Sequence, residues 1–329
     1  MLSPYTGKEM KLVYEPRTWN FRGEMYDYIH TAYKCEETGE LFTTCESDDA
    51  GFLQVTNQYR AKYGIPYTDE IIAIRSRYGV SAAKMSEVLG IGTNQWRLYE
   101  SGEVPSVSNG RMIRSIMNPK VFLDLVESSC HQLTDKEYAN ISEKVKKVIA
   151  QSDSFHLDAY ECYRVFSSAR GADNGYSTIS LQKLKAIMLM VLHECGEVFC
   201  TKMNKILFYI DFLSYRQRGF AMSGLSYRAI DFGPVPDRWD RVYSEFEEIH
   251  QEPRPIGEYE GNVLVSNATA DDMFLSDGDR DIIQTVCKRF KHCSSHEISV
   301  ISHNEPAWQK YHEQHARIPF VEAFTLKAL

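Results

Sequence analysis

Three features of the sequence predict a mainly α protein with small β elements, an α+β class. Apolar residues recur at helical spacing through 66–129 and again through 180–329. The first 50 residues instead alternate β-prone side chains in part and are cut by turn formers. Aromatic residues make up 12% of the 329, with 20 tyrosines, which is too much ring surface for a disordered chain.

Residues 11–14 and 26–33 read as strands, broken by Pro16, Asn20, Gly23 and Gly39. A helix over 54–62, preceded by Asp48-Asp49-Ala50-Gly51, closes a first segment of 1–62. Residues 63–129 read as five short helices. The first covers 69–78. The second, 82–89, has Ser81 as its N-cap and stops at the turn Gly90-Ile91-Gly92. The third begins at Thr93 or Asn94 and runs to Glu100, before Ser101-Gly102. The others cover 105–117 and 119–128, the last with proline in its first turn. Residues 130–179 read as a helical linker, with Tyr138, Ile141 and Val145 striping 136–150 and a boundary loop over 152–178 that contains Gly171 and Gly175.

Residues 180–329 form the largest segment. Leu184, Ile187, Met188, Val191 and Leu192 line one helix face. The stretch 201–216 is apolar nearly all round and predicts a central buried helix. Residues 228–232 and 262–267 read as strands, the first entering a turn at Gly233-Pro234-Val235-Pro236. Helices are expected over 239–249, 279–290 and 307–316.

Charge and motifs narrow the function. Lys plus Arg is 37 against 45 Asp plus Glu, a net of −8, so nucleic acid binding would need a local basic face. The longest apolar run, 186–192, falls far short of the ~20 residues of a membrane span. The N-terminus has no apolar export core. A cytoplasmic protein with reduced thiols is therefore expected, and its eight scattered cysteines include no CxxC. No P-loop, GxGxxG, HExxH or GxSxG occurs. No catalytic residue and no cofactor is assigned; an enzyme within 180–329 would have to draw on Asp211, His296 or Glu297.

Residues 81–102 carry the clearest functional pattern, two short helices around a glycine turn. Met85, Val88, Leu89, Trp96 and Tyr99 would pack them together. Thr93, Asn94, Gln95 and Arg97 would then face outward, with Ser81 and Lys84 at the start of the first helix. Asn and Gln can pair with adenine, and Arg with guanine, in the major groove. Between residues 60 and 120 there are nine basic and five acidic residues, an excess of +4. The alternative is a helical packing module that touches no DNA.

Residues 66–129 resemble Cro/repressor-type helix-turn-helix domains. Residues 1–129 as a whole resemble MqsA-type antitoxins across Gly7-Lys8-Glu9-Met10, Phe21-Arg22-Gly23, Ser86-Glu87-Val88-Leu89-Gly90, Gly92-Thr93-Asn94 and Tyr99-Glu100-Ser101-Gly102. That resemblance implies DNA reading by Asn94, while the family's second reader, an arginine, falls on Leu98 beside Arg97. It also implies a zinc ribbon whose two cysteine pairs fall here on Ser3 and Thr6 and on Cys35 and Thr38. One thiol cannot make a tetrahedral zinc site, so a ribbon shape without zinc is expected. Trp19, Phe21, Tyr26, Tyr28, Tyr33 and Phe42 would supply its core. Cys287, Cys293, His296 and His303 lack a full set of ligand spacings and read as packed thiols and surface histidines. No metal is assigned.

Residues 180–329 resemble the Panacea domain of SocA-type antitoxins through Leu207-Phe208-Tyr209, Gly219, Tyr227-Arg228-Ala229, Phe232-Gly233-Pro234-Val235-Pro236 and Trp308. The implied function is neutralisation of a toxin encoded in the same operon by direct contact. Tyr215, Phe232, Pro234, Val235, Asp237 and Trp239 are the candidate toxin contacts. Trp239 reads equally as an interface anchor or as packing. Residues 237–260 hold eight acidic and three basic residues, either a steering patch or a solvated face. The expectation is a homodimeric type II antitoxin that also represses its own operon. The alternatives are a helix-turn-helix regulator with a ligand- or partner-sensing C-terminal domain, and a proteolytic adaptor for a toxin.

Overall fold

The computed structural model describes residues 1–166, 169–243, 246–256, 259–269 and 274–329. Helices dominate, with three small sheets among the described residues, so the class is mainly α with small β elements. The chain divides into two compact units: Thr56–Glu161, and Met1–Val55 together with Cys162–Leu329.

Strands β1 (Lys11–Phe21) and β2 (Glu24–Lys34) pair antiparallel from Lys11↔Lys34 to Phe21↔Glu24. Arg22 and Gly23 join them at φ 52° and 85°, the left-handed pair a two-residue hairpin turn requires. Pro16 is tolerated because β1 is an edge strand. Both strands outrun the predicted 11–14 and 26–33, because polar residues such as Arg17, Thr18 and Asn20 suit the exposed edge. Strand β3 (Leu41–Phe42) adds to β2. Helix α1 (Cys45–Tyr63) starts well before residue 54, where Thr44 and Ser47 exchange reciprocal side-chain bonds to each other's amides. Its Phe52 is 6.1 Å from Trp19 and 6.3 Å from Phe21, ring to ring, while Tyr26 is buried.

The second unit is built of α2 (Thr68–Tyr78), α3 (Ala82–Leu89), α4 (Gln95–Glu100), α5 (Val107–Ser115), α6 (Pro119–Ser128) and most of α7 (Asp135–Phe166). Ser81 caps α3 and Gly90 ends it in the left-handed region; Asn118 with Pro119 starts α6. Met85, Trp96, Ile113, Phe122, Val126 and Val145 share one apolar core. Tyr78 lies 4.4 Å from Phe122 and donates to the Ile116 carbonyl. Helix α7 continues past 150, through much of the expected linker loop.

The C-terminal elements are α8 (Leu181–Cys195), β4 (Val198–Phe199), α9 (Cys200–Arg218), β5 (Tyr227–Ile230), β6 (Gly233–Pro236), α10 (Trp239–Val242), β7 (His250–Ile256), β8 (Tyr259–Val265), α11 (Asp277–Phe290), α12 (Ser295–His303) and α13 (Pro306–Gln309). Helix α9 is buried continuously from Lys202 to Tyr215 and is flanked by α11, α12, β6 and a 3-10 turn at Phe320–Thr325. Sheets β4-β8-β7 and β5-β6 complete the layer set.

Three expectations for the C-terminal segment need correction. Gly233–Pro236 is a strand, and the reversal lies at Asp231-Phe232. Only glycine fits at 233, where φ is 102° and a β-carbon would stand 2.8 Å from both Lys205 Cε and Ser302 Oγ. The helix expected over 239–249 ends at Val242, with residues 244–245 outside the described set. The helix expected over 307–316 ends at Gln309, because β5 captures the following chain: Ala229 N donates to Ala316 O (3.0 Å) and Ile318 N to Tyr227 O (2.8 Å). Among the described residues, no helix is long and apolar enough to cross a membrane.

Candidate functional site

The outward face of α4 follows from how α3 and α4 pack. Met85, Val88, Leu89, Trp96 and Tyr99 are all buried. Ser86 Oγ accepts from Trp96 N at 2.9 Å, which seats the start of α4 on α3. Helix α4 begins at Gln95, one or two residues later than expected. Asn94 is its N-cap in a left-handed conformation (φ 62°), with its amide unused in capping. Thr93, Asn94 and Arg97 are exposed; Gln95 is half-buried and donates to Glu103 at 3.0 Å. Leu98, beside Arg97 on the same helix, is 46% exposed. Ser81 spends its hydroxyl on the α3 cap, and Lys84 pairs with Glu87 (2.7 Å) and Glu137 (3.0 Å).

The local excess of basic residues is smaller at the surface than in the count. Arg60 is buried and bonds the Pro66, Gly102 and Glu103 carbonyls. Arg75 pairs with Glu100 at 2.5 Å, while Arg77 and Arg114 donate to the Met117 and Gly64 carbonyls. Arg97, Arg111 and Lys120 remain exposed. Lys62, Arg77 and Arg114 are exposed as well.

At the N-terminus, Ser3, Thr6, Cys35 and Thr38 converge. The turns that carry them end on Gly7 and Gly39, both left-handed, whose amides return to Ser3 O (2.9 Å) and Cys35 O (2.8 Å). Thr6 Oγ1 is 3.9 Å from Cys35 Sγ. Hydrogen bonds from the hydroxyls of Ser3 and Thr38, with the Thr38 and Glu37 amides, push the Cys35 thiol down to about 6. Three hydroxyls and one thiol do not fit zinc.

The candidate toxin contacts separate by exposure. Phe232 is 72% exposed at the β5–β6 turn, and Trp239 is 46% exposed just beyond the other end of the hairpin. Tyr215, Pro234 and Val235 are buried. Asp237 is held by Arg228 (2.8 Å) and Arg317 (2.6 Å). In the acidic run, Glu248 pairs with Lys185 and Glu252 with Arg254; Glu245, Glu258 and the Asp240 side chain lie outside the described residues. Glu248 and Glu252 join Glu197 and Arg254 on a cleft of about 660 Å³.

Groups considered for catalysis have structural partners. Buried Asp211 accepts from the Met222 and Ser223 amides (2.8 and 2.7 Å), from Tyr227 OH (2.6 Å) and from Ser223 OH. Glu297 forms the α12 capping box with Ser294. Lys205, which the sequence did not single out, is fully buried with no hydrogen-bond partner for its amine among the described residues, and burial pushes it down to about 8. Cys287 is buried on α11, while His303 stacks on Trp308 at 4.2 Å. The structure gathers a different set: Asp231, His312 and His315. The three-residue spacing of His312 and His315 is itself a ligand-pair signal in the sequence.

Residues 203–309, about a third of the chain, match the family model described as "Antitoxin SocA-like, Panacea domain". The C-terminal part of the chain thus carries a SocA-like Panacea domain of an antitoxin type. No curated protein and no solved structure matches the chain.

Proposed function

We propose that this chain is a DNA-binding type II antitoxin of the cytoplasm. Residues 63–129 would read the operator as a helix-turn-helix, 1–62 would form a zinc-free ribbon-like domain, and 130–179 would link to a toxin-neutralising domain over 180–329. The match of 203–309 to the antitoxin family model carries the reading. The exposed Thr93, Asn94 and Arg97 at the start of α4 support the DNA half. In a homodimer two such helices would meet successive major grooves about 34 Å apart. Expressing the adjacent gene with and without this chain tests the core claim. Killing rescued by the chain is expected; a harmless neighbour would defeat it.

Asn94→Ala and Arg97→Ala should each weaken binding to the chain's own promoter by roughly 5- to 150-fold, the worth of a bidentate base contact of about 1–3 kcal/mol. Fluorescence anisotropy on promoter DNA reads this, and neutralisation should persist in both variants. Equal affinity in folded variants would remove α4 from the interface.

Phe232→Asp should abolish rescue while leaving the melting temperature unchanged, since the ring is 72% exposed. An exposed aromatic that anchors an interface is worth about 2 kcal/mol or more. Trp239→Asp tests the far end of the hairpin in the same assay. Rescue retained in both variants would move toxin contact elsewhere.

A further inference from the structure

We propose that Asp231, His312 and His315 bind one divalent transition-metal ion of the zinc class. The proposal is independent of the antitoxin reading. His312 Nε2 and His315 Nε2 stand 3.1 and 2.9 Å from the same Asp231 Oδ1. All three ligand atoms lie within 4.8 Å of one another. Adjacent ligands of an ion with bonds of ~2.0–2.1 Å sit about 2.8–3.4 Å apart in octahedral or tetrahedral shells. Small side-chain movements would therefore replace the hydrogen bonds with metal bonds. Two imidazoles and one carboxylate form a donor set suited to zinc and its neighbours. Each Nε2 enters as a neutral lone-pair donor, so any proton it carries moves to Nδ1 or to water.

The ligands are held from three separate directions. Asp231 occupies the β5–β6 reversal. The His312 ring packs at 4.0 Å on Trp308, whose indole N–H is fixed to Ile230 O at 2.9 Å. His315 is left-handed at φ 47°, a conformation few non-glycine residues adopt. It is kept there by its own amide bond to His312 O (3.0 Å), by Arg228 Nη1 on its carbonyl (3.1 Å), and by the Ala229–Ala316 bond. Such support orients ligands before the ion arrives. The nearby cations Arg228 and Arg317 are paired with Asp237, and Arg317 also with Asp173, so the site is not opposed by unpaired charge from either. Side-chain exposures of 70%, 32% and 52% for Asp231, His312 and His315 leave the remaining coordination positions open to water or to a ligand from another molecule. Phe232, the next residue, stands exposed beside them.

Chelator-stripped full-length protein should take up one Zn2+ per chain at micromolar affinity or tighter in calorimetry. Co2+ should give d–d absorption without a thiolate charge-transfer band, and should quench tryptophan emission through the stacked Trp308. His312→Gln, Asp231→Asn and His315→Asn should each weaken Zn2+ at least tenfold. Asparagine at 315 tolerates the left-handed backbone, so the loop is kept while the imidazole goes. His296→Gln, an exposed histidine elsewhere, should leave affinity unchanged. Lack of saturable uptake below millimolar Zn2+, a thiolate band, or undiminished affinity in His312→Gln with His315→Asn would overturn the site. The wild-type Co2+ spectrum decides even if a variant fails to fold.

Discussion

Asp211→Ala should cost the unit formed by Met1–Val55 and Cys162–Leu329 about 3–5 kcal/mol, a large share of the roughly 5–15 kcal/mol that holds a domain together. The carboxylate is completely buried in the central helix α9 and takes four donors. Two are backbone amides of the segment that feeds β5, and two are the hydroxyls of Ser223 and Tyr227. Alanine strands all four in a site that water does not reach, and each orphaned donor carries a desolvation penalty. For a unit of this size the melting temperature should fall by about 10 °C or more. Tyr227→Phe removes one donor and leaves the acceptor served by three, so its cost should be near 1 kcal/mol.

Burial raises the Asp211 carboxyl above its ordinary range, against the pull of its hydrogen bonds. A raised folded value means the folded state holds the proton more tightly than the unfolded chain. Its contribution is full below the unfolded value near 3.9 and is lost as pH rises through the folded value. The stability gap between wild type and Asp211→Ala should therefore be widest in acid and narrow upward. Thermal unfolding by circular dichroism across pH measures both; a gap under about 1 kcal/mol would mean Asp211 is not the clasp of this unit.

Local chemistry was readable and long-range capture was not. Ser81 with Gly90 fixed α3 to the residue, and Pro119 did the same for α6, because such signals act within one turn. The apolar run through α9 marked a buried helix, yet nothing in the run told that Asp211 would be its anchor, since the donors come from residues 222, 223 and 227. The end of α13 is set by β5 capturing Ala316, a contact no local window contains. Arg60 counted as basic surface although it is buried against three carbonyls. Likewise His312 and His315 are legible as a pair, while Asp231 lies 81 and 84 residues away from them.

Ser3→Cys, Thr6→Cys and Thr38→Cys together should turn the N-terminal turn pair into a zinc site. The backbone already has the required form, with left-handed Gly7 and Gly39 letting each turn fold its two side chains toward the other. The 3.9 Å from Thr6 Oγ1 to Cys35 Sγ is close to the ~3.8 Å between sulfurs around a tetrahedral zinc with bonds of ~2.3 Å. The Thr38 and Glu37 amides, which the substitutions keep, go on favouring the thiolate form of Cys35 after the Ser3 and Thr38 hydroxyls are gone. Four thiolates should bind Zn2+ with an apparent ~10–16 kcal/mol at pH 7. Co2+ should then produce a thiolate charge-transfer band that the parent lacks, which separates this site from the imidazole pair at His312 and His315. EDTA should lower the melting temperature of the triple variant through this site. Thr6→Cys alone gives two thiols and should show neither effect. If the triple variant gave no such band, the convergence of the four positions would be disproved, because ligand chemistry would be complete and only geometry could fail.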